Sequence, residues 1–282
     1  MIAKSPIGIF DSGVGGLTVF KEIRQSFLNE DIVYFGDTAR VPYGTKSRET
    51  VIEYSKQNAR FLINKNVKVI VVACNTSSAF ALTDLQKITK IPVIGVIKAG
   101  AETAIKSTKN GKIGIIGTVG TVKSHAYKKT IEEIDKKSSE KIKNLEIIEK
   151  ACPLFVPLAE EGWHDHHITK QVAEIYLKEI LEAGIDTLVL GCTHYPILKE
   201  IIRDVCGESI QLIDSAQAVT NELKKIIKTE ETMGKDGDNN YHNDFFVSDY
   251  EDKFEFITRN ILEIQNFSLS RVQLIKEDFR EI

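Results

Sequence analysis

Val67-Lys-Val-Ile-Val-Val-Ala-Cys-Asn-Thr-Ser-Ser-Ala79 is the stretch on which the reading of the fold turns. Five β-branched residues fill the six positions 67–72, with only Lys68 polar. That pattern predicts a strand buried on both faces, the kind that parallel sheets use. It runs into the short polar residues Cys74 to Ser78, and then into Ala79-Phe-Ala-Leu, which reads as helix. In open α/β sheets ligands bind where strands give way to helices, because helix starts present unpaired amide donors. A second unit of the same kind follows at Ile185-Asp-Thr-Leu-Val-Leu-Gly-Cys-Thr-His-Tyr-Pro196, with a helical pattern from Ile197. The two units predict two related halves, each supplying one cysteine to a shared site.

Toward the N-terminus, Pro6-Ile-Gly-Ile-Phe10 reads as a strand and Leu17-Thr-Val-Phe-Lys-Glu-Ile as a helix. The loop between them, Asp11-Ser-Gly-Val-Gly-Gly16, only partly matches a dinucleotide fingerprint. Gly13 and Gly15 fit, but the third glycine comes one residue early and Asp-Ser stands at the start. A turn that lifts Asp11 and Ser12 over the strand end, with glycines clearing backbone for a small ligand, fits better. Asp31–Asp37 reads as a second strand, 48–63 as an amphipathic helix and Ile91–Ile97 as a short buried strand, with Pro92 suiting its edge. This βαβα alternation predicts a parallel, doubly wound sheet.

From Gly111 the pattern starts over, since Lys112-Ile-Gly-Ile-Ile-Gly-Thr118 echoes Pro6-Ile-Gly-Ile-Phe-Asp-Ser12. Cys74 lies 63 residues after Asp11, and Cys192 lies 75 after the aligned Gly117. Between the halves, 151–162 reads as a proline-punctuated loop leading into a helix. A helix from Asp214 to about Lys228 follows, then a turn-rich connector at 230–243, a strand at Phe245–Asp249 and a helix from Lys253 to Ile264. In the connector, Asp236-x-Asp-x-Asn240 lacks the glycine of a calcium loop and is not read as one. The expectation is an α/β protein of two similar domains, each a mainly parallel sheet flanked by helices, with the active site in the cleft between them. The first domain takes 1–98 plus 213–282 and the second 99–212, so the chain crosses near 98 and near 212.

The totals narrow the function. The 282 residues are 42% hydrophobic and carry a net charge of −3, with 37 Lys and Arg scattered along the chain. That balance gives little support for nucleic acid or for a membrane surface as partner. No apolar run approaches the roughly 18 residues needed to cross a bilayer, and Met1-Ile-Ala-Lys-Ser-Pro6 leads straight into a strand without a signal peptide. The four cysteines, at 74, 152, 192 and 206, form no CxxC pair, zinc spacing or disulfide framework. A reducing, cytoplasmic setting with free thiols is expected. His164-Asp-His-His167 looks like a metal tract but has no cysteine at ligand spacing, so no metal is expected.

Cys152 and Cys206 read as structural. Cys74 and Cys192 each end a buried strand before a polar helix start, where dipole and amides should lower a thiol pKa toward neutrality. A redox switch usually sets its thiols close in sequence, and a thiol hydrolase leaves the second cysteine idle. Proton exchange at a carbon acid uses both: one thiolate removes a proton from one face while the opposite thiol delivers one to the other. The product is racemised or epimerised. Asp11 and His194 could assist, one in each half. Ser12, Asn75, Thr76 and Thr193 offer donors for carboxylates and for the enediolate-like charge.

Ile7-Gly-Ile-Phe-Asp-Ser-Gly-Val-Gly-Gly-Leu-Thr18, Tyr34-Phe-Gly-Asp-Thr-Ala-Arg-Val-Pro-Tyr-Gly44, Ala73-Cys-Asn-Thr-Ser-Ser-Ala79, Cys152-Pro-Leu-Phe-Val-Pro-Leu158 and Leu190-Gly-Cys-Thr-His-Tyr-Pro-Ile-Leu198 closely resemble the glutamate racemases of the aspartate/glutamate racemase family. The resemblance runs from about residue 5 to the Phe245 region. It implies cofactor-independent interconversion of L- and D-glutamate, supplying D-glutamate for peptidoglycan, with Cys74 and Cys192 catalytic and Asp11 and His194 assisting. It further implies substrate contacts from Ser12, Tyr43, Gly44, Asn75, Thr76, Thr118, Thr121 and Thr193. An acidic residue supporting the histidine falls at Glu160, with Glu161 beside it. A homodimer is allowed for. An aspartate racemase, a thiol-dependent amidase, a redox-switch binding protein and a nicotinamide-dependent enzyme stand as alternatives.

Overall fold

Strands β1 (Ile7–Asp11), β2 (Ile32–Gly36) and β3 (Val69–Val72) are buried along their whole length, and alternate residues feed two different cores. Ile7, Ile9, Ile32, Tyr34, Val69 and Val71 pack on one face, while Phe10, Val33, Phe35, Ile70 and Val72 pack on the other. Side chains alternate across a strand, so a run apolar at every position must be covered twice. Each such side chain contributes about 1.5–3 kcal/mol on burial. The computed structural model of the chain describes residues 5–227, 241–249, 252–262, 267–275 and 278–281. Residues 1–4 and the expected connector as far as residue 240 lie outside them.

The first sheet has seven strands in the order β11-β10-β9-β2-β1-β3-β4, adding β4 (Val93–Gly95), β9 (Asn243–Val247), β10 (Ser268–Ile275) and β11 (Asp278–Glu281). All its pairs are parallel except β10–β11. Helices α1 (Leu17–Ser26) and α12 (Asp252–Leu262) cover one face, while α2 (Arg48–Asn64) and α4 (Leu82–Ile88) cover the other. Ser47 caps α2 by accepting from Thr50 N–H at 3.2 Å.

The second sheet is wholly parallel, in the order β6-β5-β7-β8: β5 (Lys112–Gly117), β6 (Glu146–Ala151), β7 (Thr187–Gly191) and β8 (Gln211–Asp214). Helix α9 (His167–Glu182) lies on one face, and α5 (Val96–Ser107) with α7 (Ala126–Lys137) on the other. The first four strands of the chain run second–first–third–fourth, and the next four repeat that order. Cys74 follows the third strand of the first set and Cys192 the third of the second. Both stand where strand order reverses, between β1 and β3 and between β5 and β7, which is where ligands bind in open α/β sheets.

Three local readings need correction. Val96 and Ile97 do not extend β4 but open α5, because Gly95 ends the strand against the Ser78 hydroxyl and a Cβ there would sit 2.8 Å from it. The segment 151–162 is not all loop: α8 (Phe155–Glu160) forms in it, with Pro157 in the first turn, where its missing N–H has no helical partner to lose. The return crossing comes at Asp214–Ser215 rather than near 212, since β8 lies wholly in the second sheet. Helix α11 (Ser215–Ile226) then packs Ala216, Val219 and Leu223 into the first core. Helix α5 serves both halves, with Val96 and Ala99 in one core and Ile97, Ala101 and Ala104 in the other. The two crossing helices lie against each other. Among the described residues no helix is long and apolar enough to cross a membrane.

Candidate active site

Cys74 leaves β3 as the cap of the short helix α3 (Asn75–Phe80) and is buried. Its thiol points to Ser12 Oγ at 3.7 Å. Burial and the Asp11 carboxylate push it up to about 11. The expectation of a thiol brought toward neutrality therefore fails here: in a dry corner beside a carboxylate, desolvation outweighs the hydrogen bonds from Ser77 and Ser12. Asp11 itself is fully buried, and burial raises its pKa against the opposing pull of His194 and of backbone N–H groups. Gly13 N–H donates to Asp11 Oδ2 at 3.0 Å, and Thr193, from the other half, donates to Oδ1 at 3.4 Å.

Cys192 follows β7 and has a cation for a neighbour. Its sulfur lies 3.8 Å from His194 Nδ1, while His194 Nε2 lies 2.9 Å from Glu160 Oε1 at the end of α8. Burial works against a charge on this ring, but the bonds to Cys192 and Glu160 outweigh it and raise its pKa to about 10. The ring is thus an imidazolium at neutral pH, wedged between two groups that stabilise its charge. The glycine loop after β1 makes room for it: a Cβ on Gly15 would come within 2.5 Å of His194 Nδ1 and 2.4 Å of Thr193 Oγ1. The Thr18 hydroxyl at the start of α1 is shared between Gly15 O and Thr193 O, at 2.9 and 3.1 Å.

Between the two thiols is a cleft lined from the first half by Ser12, Val41, Pro42, Tyr43, Gly44, Cys74, Asn75 and Thr76, and from the second by Thr118, Val156, Cys192, Thr193 and His194. The structure thus gathers ten of the thirteen residues expected from sequence along one wall or the other. The remaining three stand one layer back. Asp11 sits behind Ser12, Glu160 backs His194, and Thr121 braces the hydroxyls of Thr76 and Thr118 at 3.3 and 3.0 Å. Thr76 and Thr118 meet directly across the seam at 2.9 Å, and Thr118 also caps α6 (Val119–Ser124). Close approach there depends on Gly44, whose Cβ would lie 2.5 Å from that of Thr118.

Tyr43 is held from behind. Its hydroxyl bonds the buried carboxylate of Asp37 and accepts from Asn58 Nδ2 at 3.0 Å. Arg40 closes the cluster with bonds to Asp37, Gln57 and Asn58, and Ser248 at the end of β9 donates to Asp37 at 2.8 Å. Sequence reasoning missed Val41, Pro42 and Val156 as lining residues, although each lies inside a motif it singled out. It also missed Tyr127, whose hydroxyl donates to Asn75 Oδ1 at 2.7 Å. Nothing local marks that tyrosine, because its partner is 52 residues away. In the His164–His167 tract, His166 Nδ1 accepts from Ile168 N–H at the start of α9. Among the described residues no three His, Cys, Asp or Glu are grouped to hold a metal ion.

The arrangement is a cleft of short donors between two cysteines, one backed by a carboxylate and the other by an imidazolium–carboxylate pair. Known proteins resemble the chain in sequence and in fold. The Asp/Glu/Hydantoin racemase family matches residues 10–223. A glutamate racemase of Geobacter metallireducens is 51% identical over 243 residues, 86% of this chain and 87% of that one. Glutamate racemase isoform RacE1 of Bacillus anthracis superposes with a TM-score of 0.87 at 39% identity, covering 97% of this chain and 98% of its own. A glutamate racemase of Francisella tularensis, solved in complex with D-glutamate, gives a TM-score of 0.85 at 39% identity, covering 98% and 99%.

Proposed function

The chain belongs to the Asp/Glu/hydantoin racemase family, and on that premise we propose that it interconverts L- and D-glutamate with Cys74 and Cys192 as paired acid and base. The observation that carries the reading is the placement of the two cysteines at equivalent strand ends of two like-ordered sheets, on one cleft. No cofactor takes part in the proposed chemistry. The product D-glutamate supplies peptidoglycan, as the family resemblance implies.

The two sides are not electrically alike. The Cys74 thiol, with its pKa near 11, holds its proton at neutral pH. On the other side the His194 imidazolium lies 3.8 Å from the Cys192 sulfur. In the proposed cycle Cys192, acting as thiolate, takes the α-proton of L-glutamate: the Cα–H bond breaks, an S–H bond forms, and the electron pair spreads into the carboxylate. Cys74 then gives its proton to the opposite face of Cα. For D-glutamate the roles exchange. Asp11, its carboxyl pKa raised by burial, is placed to receive the Cys74 proton, and His194 to return one to Cys192.

Carbanion-like charge is held by donors already aimed at it, which costs no reorganisation during reaction. Ser12, Asn75, Thr76, Thr118 and Thr193 are the hydroxyls and amide within reach of the substrate carboxylates. Tyr43 and Gly44 form the wall beside them. The homodimer is carried as part of the same reading and is tested by sedimentation.

A chiral assay with L-glutamate and L-aspartate, run after exhaustive chelation and without added cofactor, tests the proposal. Conversion of glutamate to a racemic mixture is expected. Equal turnover of aspartate, or activity restored only by pyridoxal phosphate, overturns it.

A further inference from the structure

Tyr127 stands on α7 in the second half, yet its hydroxyl ends on Asn75 in the first. The ring is fully buried, and two glycines leave space for it. A Cβ on Gly100 of α5, or on Gly191 at the end of β7, would lie 3.2 Å from ring carbons. A primary amide carries an acceptor oxygen and a donor nitrogen of nearly the same shape, and a half-turn of the side chain exchanges them. A phenol donating to the oxygen decides which end is which. Asn75 lines the cleft, and its Nδ2, shielded from water, has no hydrogen-bond partner among the described residues. Buried amide donors in folded proteins are nearly always satisfied, so a donor left open beside a cleft points to a ligand acceptor.

We propose that Tyr127 is a positioning residue for substrate binding: it holds the Asn75 amide with its nitrogen turned toward a substrate carboxylate. Burial keeps the phenol protonated far above neutral pH, so it has a proton to give to Asn75. Tyr127 belongs to the second half and Asn75 to the first, so the bond that orients the amide also ties the two halves together. The assignment rests on the glutamate reading above, because it needs a carboxylate as acceptor.

Tyr127→Phe keeps the ring and removes the hydroxyl, leaving the amide free to turn its oxygen on the carboxylate. KM for both enantiomers should rise about tenfold and kcat fall by no more than about threefold, the size expected for one lost bond and a misdirected dipole. With Asn75→Ala already present, the same change should move KM less than about twofold, because the phenol has nothing left to position. A purely structural tyrosine would multiply its effect equally in both backgrounds. Unchanged KM in folded Tyr127→Phe, or full multiplication, overturns the assignment. If that variant does not fold, Asn75→Asp serves: it keeps the acceptor for the phenol and puts an oxygen where the amide nitrogen faced the carboxylate. Its KM should rise about tenfold or more, and an unchanged KM overturns the assignment in that case. A parent protein inert toward glutamate overturns the functional reading and this assignment together, and is recognised before any variant is made.

Discussion

Glu160 Oε1 and His194 Nε2 lie 2.9 Å apart, so the carboxylate grips the edge of the imidazole that points away from Cys192. With the bond to Cys192, this contact, made by a helix that sequence reading took for loop, keeps the ring charged where burial alone would discharge it.

Glu160→Gln therefore reports on the base pair directly. His194 loses an anion, its pKa falls, and the alkaline limb of kcat/KM moves to lower pH. Enantiomers are equal in free energy in water, so kcat/KM must fall by the same factor in both directions, about ten- to a hundredfold at neutral pH. An alkaline limb that stays in place shows that the imidazolium is not required.

The same ring ties stability to pH. Its folded pKa, about 10, stands above the unfolded value of about 6.5. The stability it contributes is fully present below about pH 6.5 and is lost as pH rises toward 10. Urea midpoints of the parent should decline across that window more steeply than those of His194→Asn. Parallel curves count against a charged His194.

Deuterium should enter at one step only. In D₂O, early turnover of either enantiomer should put deuterium in the product while recovered substrate stays protiated, since each thiol accepts from its own side. Cys74→Ala and Cys192→Ala should each abolish racemisation in both directions. Near-parental activity in Cys192→Ala would remove the two-base scheme.

Cys152 and Cys206 belong to the core of the second half, and Cys152 donates only to a backbone oxygen, Lys150 O at 3.8 Å. Cys152→Ala should keep kcat within about twofold and cost roughly 1–2 kcal/mol in chemical denaturation. A large kcat loss at unchanged stability would assign that thiol a part in the chemistry.

Gly44→Ala tests how tightly the halves must meet. The added methyl would meet Thr118 Cβ at 2.5 Å, so the seam must part for it. Activity should drop about tenfold or more, as misplacement by about an ångström does elsewhere, with little change in melting temperature. Full activity would mean that the seam gives way freely.

What was readable in the sequence follows from burial. β1, β3 and β7 are covered on both faces and had to be written in β-branched and aliphatic residues, which made both cysteine-bearing corners visible. β6 is an edge strand carrying Glu146, Glu149 and Lys150, half exposed throughout, and offers no run to detect. The choice between Glu160 and Glu161 could not be made from spacing, because it depends on how α8 docks against the turn after β7. The Cys74 environment misled for a related reason. A helix start is a local signal, whereas burial against Tyr43 and Val51 and the approach of Asp11 are not.

The two crossings of the chain have a mechanical consequence. They leave neighbouring points at the ends of β4 and β8, and their helices α5 and α11 lie side by side. Among the described residues the backbone passes between the halves only there, so rotation about that edge would open the cleft without breaking either crossing. In the proposed reaction the mouth at Gly44 and Thr118 would part for glutamate to pass and the sulfurs would separate with it. On closing, both would return to opposite faces of the same carbon, so the alignment of acid and base would be stored in the joint rather than rebuilt at each turnover.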